Sequence, residues 1–464
     1  MNEEMRRLQP MQTQSAWSPP GRRAAVLLVL LGAVLFGVGL SLHPIGRDEA
    51  VSVLLVRHPV AQIVQLLAAH EVHPAGYFLL LWAWPHSTPV EARLLSWLPA
   101  VACVPLGWLA GHRLGLRRPW LAGLLLATSP FLAYESGEAR MYTWLALFGA
   151  ASLLAAASLP ERPGLRWGVG LGVLLAAGVY IQYFAAFTGL GLVLLLLARR
   201  HYRVAVVAVA VAGLLFLPGL ALLLQQLPVF LRYPDQSWQE RLTTHELYSI
   251  SGLLFGGAEY DPRGRRASLL LALPALYGVL RAPRRVQLLL ACSGGLPLLV
   301  GVFSATLSAR YLSPAVPALL LCLAVAIDSL PRLAALPAAA AAVLTSLGLV
   351  AYADLRYDTL KPPTPDLLAA ARAAGAEYVV GHRHFAPQAA YYAPGGEAFV
   401  FLAPAVDHIG LWALPPGLAY PPVPGRPVLV VDYCDLPPPI PAGYRVTRTW
   451  SNPGADFCAW LAGP

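Results

Sequence analysis

The residues that could do chemistry fall in four places along the chain. The first is Arg47-Asp48-Glu49, directly after an apolar run. The second is Glu71-Val72-His73-Pro74-Ala75-Gly76-Tyr77, at the mouth of the next apolar run. The third is Ser129-Pro130-Phe131-Leu132-Ala133-Tyr134-Glu135-Ser136-Gly137-Glu138-Ala139-Arg140-Met141-Tyr142, where one apolar run ends in charges and another begins. The fourth is Arg310-Tyr311, opening a later run. Ionisable groups beside lipid are costly to keep, which marks them as candidates for function. A carboxylate such as Asp48 can take a proton from a hydroxyl, and arginines such as Arg140 and Arg310 can hold a phosphate or stabilise one as it leaves. The same charges also suit the cavity of a lipid or solute transporter, and residue types alone leave both chemistries open. Glu138 and Arg140 are two residues apart, so they cannot share one helical face.

Composition tells what must position these residues. Of 464 residues, 57% are hydrophobic and 12% charged, about half the usual charged share, and mean hydropathy is +0.59. Apolar runs long enough to cross about 30 Å of hydrocarbon recur from residue 24 to residue 352. The chain reads as an α-helical polytopic membrane protein of about eleven to thirteen spans. Its net charge of +9 comes from arginines clustered in short turns, at Arg113/Arg117/Arg118, Arg162/Arg166, Arg199/Arg200/Arg203 and Arg281/Arg284/Arg285. This is the positive-inside pattern and not a nucleic-acid signal. It predicts a cytoplasmic tail at 1–23, a multi-pass region at 24–353 in the cell membrane, and residues 354–464 outside. The count carries one conflict. Asp48 outside and Arg113 inside require an odd number of crossings, yet two apolar runs, 73–86 and 90–112, lie between them.

Within the outer stretch 43–72, Val51, Leu54, Leu55, Ile63, Leu66 and Leu67 recur at helical spacing and Pro59 interrupts them, predicting two short helices lying in the interface. Residues 228–264 read as a polar loop. Beyond residue 353 the pattern changes to helix, strand, helix, then a strand at 428–434, a small α/β domain. Cys103, Cys292 and Cys322 lie in apolar runs. If the C-terminal domain is outside, Cys434 and Cys458 can form a disulfide; two free thiols are the alternative.

Five stretches in order resemble glycosyltransferase family 39 and its bacterial relatives of the GT-C fold, which include protein O-mannosyltransferases and the aminoarabinose transferase of lipid A. They are D-E-A at 48–50, H-P-A-G-Y-F-L-L-L at 73–81, A-R-L-L-S-W-L-P-A at 92–100, S-P-F-L-A-Y-E-S-G-E-A-R-M-Y at 129–142 and R-Y-L-S-P-A-V-P-A-L at 310–319. The resemblance implies transfer of a sugar from a polyprenyl-phosphate donor to a hydroxyl of a glycan, lipid or protein at the outer membrane face. It implies Asp48 as the base with Glu49 beside it, and His73, Glu138, Arg140, Tyr142, Arg310 and Tyr311 lining the site. Some relatives use a divalent metal. Glu71 and His73 are candidate ligands here, and two without a third do not define a metal site. Gln182-Tyr183-Phe184 stands where many relatives carry His-Tyr-Phe, which argues against a histidine-dependent role at 182.

Overall fold

The computed structural model describes residues 19–236, 243–257, 262–303, 307–360, 363–381, 385–392, 399–401, 425–434, 440, 442–451 and 457–464. Helices α1 (Pro19–Gly37) and α2 (Gly39–Leu42) lead to α3 (Arg47–Val56), α4 (Val60–His70) and α5 (Gly76–Trp82). Then come α6 (Pro89–Arg113), α7 (Trp120–Ala127), α8 (Pro130–Ser136), α9 (Tyr142–Ser158), α10 (Leu165–Ile181), α11 (Ala185–Ala198) and α12 (Tyr202–Gln236). They continue through α13 (Thr244–Gly256), α14 (Pro262–Arg281), α15 (Arg284–Leu290), α16 (Leu296–Phe303), a 3₁₀ segment at Ala309–Ala315, α17 (Val316–Asp328) and α18 (Arg332–Leu360).

Six helical stretches are long and apolar enough to cross a membrane: Arg23–Leu42, Pro89–Arg113, Tyr202–Leu231, Arg284–Phe303, Ala309–Asp328 and Arg332–Tyr352. The runs at 142–158, 165–181 and 185–198 are shorter apolar helices, and α14 carries Arg263, Arg265 and Arg266 near its start. Outward-facing leucines and valines on α1, α12 and α18 (Leu27, Val34, Leu214, Leu224, Leu344) are more than half exposed. That apolar surface has no water-soluble explanation and fits contact with lipid. The fold is thus a polytopic helical membrane protein, as composition predicts.

Three boundaries differ from the sequence reading. The run at 73–86 contributes only the seven-residue α5, roughly 10 Å of helix, too short to cross. Among the described residues α6 is then the one candidate span between Asp48 and Arg113, an odd number as the charge pattern requires. The run at 119–136 is two helices, because Ser129 caps α8 through its hydroxyl and Pro130 takes the first helical position. The stretch read as a polar loop at 228–264 is largely helical: α12 extends to Gln236, and α13 and the start of α14 fill most of the rest; residues 237–242 and 258–261 lie outside the described residues.

The C-terminal part comprises α19 (Thr364–Ala373), β1 (Glu377–Val380), α20 (Ala386–Tyr392), β2 (Phe399–Phe401), β3 (Val428–Tyr433), β4 (Arg445–Ser451) and β5 (Phe457–Gly463). The sheet order is β2-β1-β3-β5-β4. The first three strands are parallel and β5 and β4 antiparallel. Cys434 and Cys458 are joined in a disulfide that ties the end of β3 to β5. This layer does not stand apart from the helices. Val51 and Leu54 of α3 are buried in the same apolar cluster as Leu367, Tyr378, Leu429 and Ala459. The opposite side of α3, with Ala50, Val53, Leu55 and Val56, is buried in the core of the helical region. Ile45 N–H donates to the Tyr392 hydroxyl at 2.9 Å, and the Arg57 guanidinium lies 5.3 Å from the Tyr391 ring centre.

Candidate active site

The site is built on the first turn of α3. Its neighbour Glu49 is fully buried against Arg93, which is fully buried in the first turns of α6. Arg93 Nε donates to Glu49 Oε1 at 2.8 Å and Nη2 donates to Oε2 at 2.9 Å. The other donors of Arg93 reach the carbonyls of Leu40, His43 and Pro44 at 2.9–3.0 Å. Glu49 also accepts from Gly46 N–H at 2.7 Å and from Ala139 N–H at 2.9 Å. Every donor of the guanidinium is used, and each carboxylate oxygen accepts two bonds, as a buried pair requires. Glu49, expected beside Asp48 as a catalytic group, is therefore shut away from any substrate. Its geometry is that of a pin joining α3, α6 and the turn at 137–141.

Asp48, one residue away, points the other way, and its side chain is 45% exposed. Arg47 Nε lies 3.8 Å from Asp48 Oδ1, and Arg310 Nη1 lies 3.9 Å from Oδ2. Arg140 comes from the turn between α8 and α9. Its Nη1 donates to Ser52 Oγ at 3.0 Å and approaches the Asp48 carbonyl at 3.5 Å. Burial pushes the Asp48 carboxyl up, but Arg140, Arg47 and Arg310 outweigh it and hold it down at about 2. Asp48 is ionised at any ordinary pH.

Arg310 opens the 3₁₀ segment and is gripped from the side by α8. Its Nη2 donates to the Tyr134 hydroxyl at 3.1 Å, and its Nε lies 3.3 Å from Glu135 Oε1. The Tyr142 ring lies between the two guanidiniums, 5.4 Å from Arg310 and 6.0 Å from Arg140. Arg140 is 5% exposed, and its Nε has no hydrogen-bond partner among the described residues. A buried N–H left unmatched costs about 1–3 kcal/mol, and an anionic ligand would satisfy it. Glu138 is buried beside this cluster, and its carbonyl accepts from Arg140 N–H at 2.7 Å.

On the far side of Asp48, His73 Nδ1 is 2.6 Å from Glu71 Oε1. A carboxylate only accepts, so Nδ1 carries the proton and Nε2 faces the Tyr311 hydroxyl at 3.4 Å. Burial pushes the Glu71 carboxyl up, but the adjoining His73 ring and its hydrogen bond, with Arg140 beyond, outweigh it and hold the carboxyl below its usual range. Phe184 stacks on the other side of Tyr311, ring centres 4.9 Å apart. Among the described residues no three of His, Cys, Asp and Glu come together as a metal would need. Glu71 and His73, the two candidate ligands, are hydrogen-bonded to each other through Nδ1.

The structure brings Asp48, His73, Glu138, Arg140, Tyr142, Arg310 and Tyr311 into one neighbourhood and turns Glu49 away from it. Four residues that brace this cluster are not among the predicted site residues: Arg93, Glu135, Tyr134 and Ser52. Arg93 carried a signal, since a charge near the start of a span needs a buried partner. Glu135 sits in a quoted stretch, but nothing in one sequence pairs it with an arginine 175 residues away. An apolar cavity of about 260 Å³ adjoins the cluster, walled by Leu35, Val38, Pro130, Leu347 and Val350, with His43 and Tyr134 as its polar side chains.

No protein-family model matches the chain, and no curated protein matches it. Solved structures do. ArnT from Cupriavidus metallidurans in the apo state superposes with a TM-score of 0.63 at 16% identity, over 96% of this chain and 98% of that one. The same protein bound to undecaprenyl phosphate superposes with a TM-score of 0.61 at 15% identity, again over 96% and 98%. Identity this low speaks to architecture alone, and on that ground the chain has the GT-C fold, helices and C-terminal sheet included.

Proposed function

We propose that this chain is a membrane glycosyltransferase that moves a sugar from a polyprenyl-phosphate donor to an acceptor hydroxyl at the outer face of the cell membrane. The observation that carries the reading is one half-exposed carboxylate, Asp48, faced by two arginines, the buried Arg140 and the partly buried Arg310. Arg140 keeps a buried N–H without a partner among the described residues, as an anion site would. The apolar cavity beside Tyr134 supports a lipid-borne ligand, and the solved ArnT structure with undecaprenyl phosphate is a precedent for one on this fold.

The chemistry is a single displacement with inversion. The acceptor hydroxyl gives its proton to Asp48 as its oxygen bonds to the anomeric carbon. The bond from that carbon to the phosphate oxygen breaks, and the polyprenyl phosphate leaves as an anion held by Arg140 and Arg310. His73 and Tyr311 border the sugar. The family-39 motifs favour a hexose or pentose donor of the mannosyltransferase type, and the C-terminal domain, seated on α3, shapes the choice of glycan, lipid or protein acceptor. The test uses purified protein and a panel of radiolabelled polyprenyl-phosphate sugars. Release of label by the wild type, lowered by about 10²–10⁴-fold in Asp48→Asn with the variant folded, supports the reading. Equal release by both variants would remove Asp48 from the chemistry.

A further inference from the structure

Gln226 lies in the outer half of α12 and is fully buried, yet it meets none of the groups around Asp48. Its Nε2 donates to the Leu67 carbonyl at 3.1 Å and to the His73 carbonyl at 2.9 Å. Its Oε1 accepts from the Tyr183 hydroxyl at 2.7 Å. The orientation of the carboxamide is fixed by logic as well as distance. Two carbonyls can only accept, so the nitrogen must face them, and the oxygen is left for a hydroxyl that can donate. One side chain thus holds together the last turn of α4 and the residue that ends the Glu71–His73 stretch. Tyr183 and Phe184, which form the turn from α10 to α11, close the loop from behind: Tyr183 bonds Gln226, and Phe184 packs on Tyr311, the ring that His73 Nε2 faces.

The hydrogen-bond ladder of α12 is broken two turns before Gln226. Pro218 interrupts the ladder of α12, and at Gly219 the Tyr180 hydroxyl is inserted into it. The hydroxyl accepts from Gly219 N–H at 3.2 Å and donates to the Leu215 carbonyl at 3.0 Å. A side chain in the ladder beside a proline is a recognised cause of a kink. The same end of α10 presses on Gly76, at the start of α5, where any Cβ would clash with the Tyr180 carbonyl. Tyr180 therefore touches both the helix that carries Gln226 and the segment that follows His73.

We infer that Gln226 is a positioning residue that holds the Glu71–His73 pair against Tyr311 and beside Asp48, with Tyr183 setting its carboxamide. The inference rests on the transferase reading above. Its test is a set of variants assayed for label release per folded molecule, with folding read by size-exclusion elution and thermal unfolding. Gln226→Met removes the three hydrogen bonds at nearly constant volume and should lower kcat by roughly 10–100-fold, the range for partners that orient a working group, with the donor KM within about twofold. Tyr183→Phe should lose less. In a His73→Asn background, Gln226→Met should cost nothing further in kcat, because it acts through His73. A purely structural glutamine would lower the yield or the melting temperature and leave turnover per folded molecule unchanged, and that result overturns the inference. Losses that multiply in the His73→Asn background also overturn it. Wild-type protein that releases no label would instead fail the transferase reading, so the two failures are told apart.

Discussion

Glu49 and Arg93 form a fully buried two-point ion pair, 2.8 and 2.9 Å, between residues 44 positions apart. The pair joins the helix that carries Asp48 to α6 and, through Ala139 N–H, to the turn that carries Arg140. Removing one partner leaves a buried charge and several unmatched backbone groups. Arg93→Met and Glu49→Met should each destabilise the fold by about 3–5 kcal/mol. The double variant should recover part of that loss, since no lone charge remains. Thermal unfolding in detergent measures both, and a double variant worse than the sum of the singles would contradict the account.

The acid behaviour of Asp48 has a definite sign. Arginines depress its carboxyl from 3.8 to about 2. A depressed acid contributes stability that is complete above the unfolded value and is lost as pH falls through the folded one. Wild-type protein should therefore lose stability relative to Asp48→Asn between about pH 4 and pH 2 and keep a constant difference from pH 5 to pH 8. The side chain is nearly half exposed, so solvent weakens the effect and added salt should reduce it further. Denaturation midpoints of the two proteins across that range are the measurement; a difference that changes around neutrality would assign the effect to another group.

Arg310 combines charge with shape. It bonds Tyr134, lies against Glu135 and the Tyr142 ring, and faces Asp48. A lysine keeps the charge but not the fork that fits these partners. Arg310→Met should lower kcat/KM for the donor by about 10²–10³-fold, the cost of removing one preorganised donor to a developing anion. Arg310→Lys should fall between that and wild type. Steady-state kinetics with varied donor decide it, and a lysine variant as impaired as methionine would show that shape, not charge, dominates.

The Cys434–Cys458 disulfide closes a loop across 24 positions of the C-terminal sheet. By chain entropy it contributes about 3 kcal/mol to that layer. Reduction, or Cys434→Ser with Cys458→Ser, should lower its unfolding temperature, followed by scanning calorimetry with and without reductant. Unchanged unfolding after full reduction would leave the bond without a stabilising role.

The helical architecture was legible because lipid demands long apolar runs, and α6, α12 and α18 lie where those runs lie. Asp48, Arg140, His73 and Arg310 were legible for the converse reason: a charge beside lipid needs a purpose. Glu49 was misread because adjacency in sequence does not decide direction in a helix, where neighbours point about 100° apart. Asp48 and Glu49 do opposite jobs from consecutive positions. Arg93 stood in a quoted stretch without a role, because its partner is 44 positions away, and Gln226 gave no sequence signal, since a buried amide is defined by partners 43 to 159 residues away. Strands β4 and β5 were missed as well. Glycines and prolines around them outweighed their short alternating patterns, and the pairing that makes them strands is with each other and with β3.

The sharing of α3 between two cores has a consequence for synthesis. Residue 45 bonds residue 392, and Val51 and Leu54 share their apolar cluster with side chains from residue 367 onward. A ribosome makes that cover after the whole helical region. Until then one apolar side of α3 has nothing to pack on, and the segment bearing Asp48 lacks half its support. Full packing of α3 thereby waits on the sheet, and a chain cut short before it would hold every charged residue of the cluster and still leave α3 half clad.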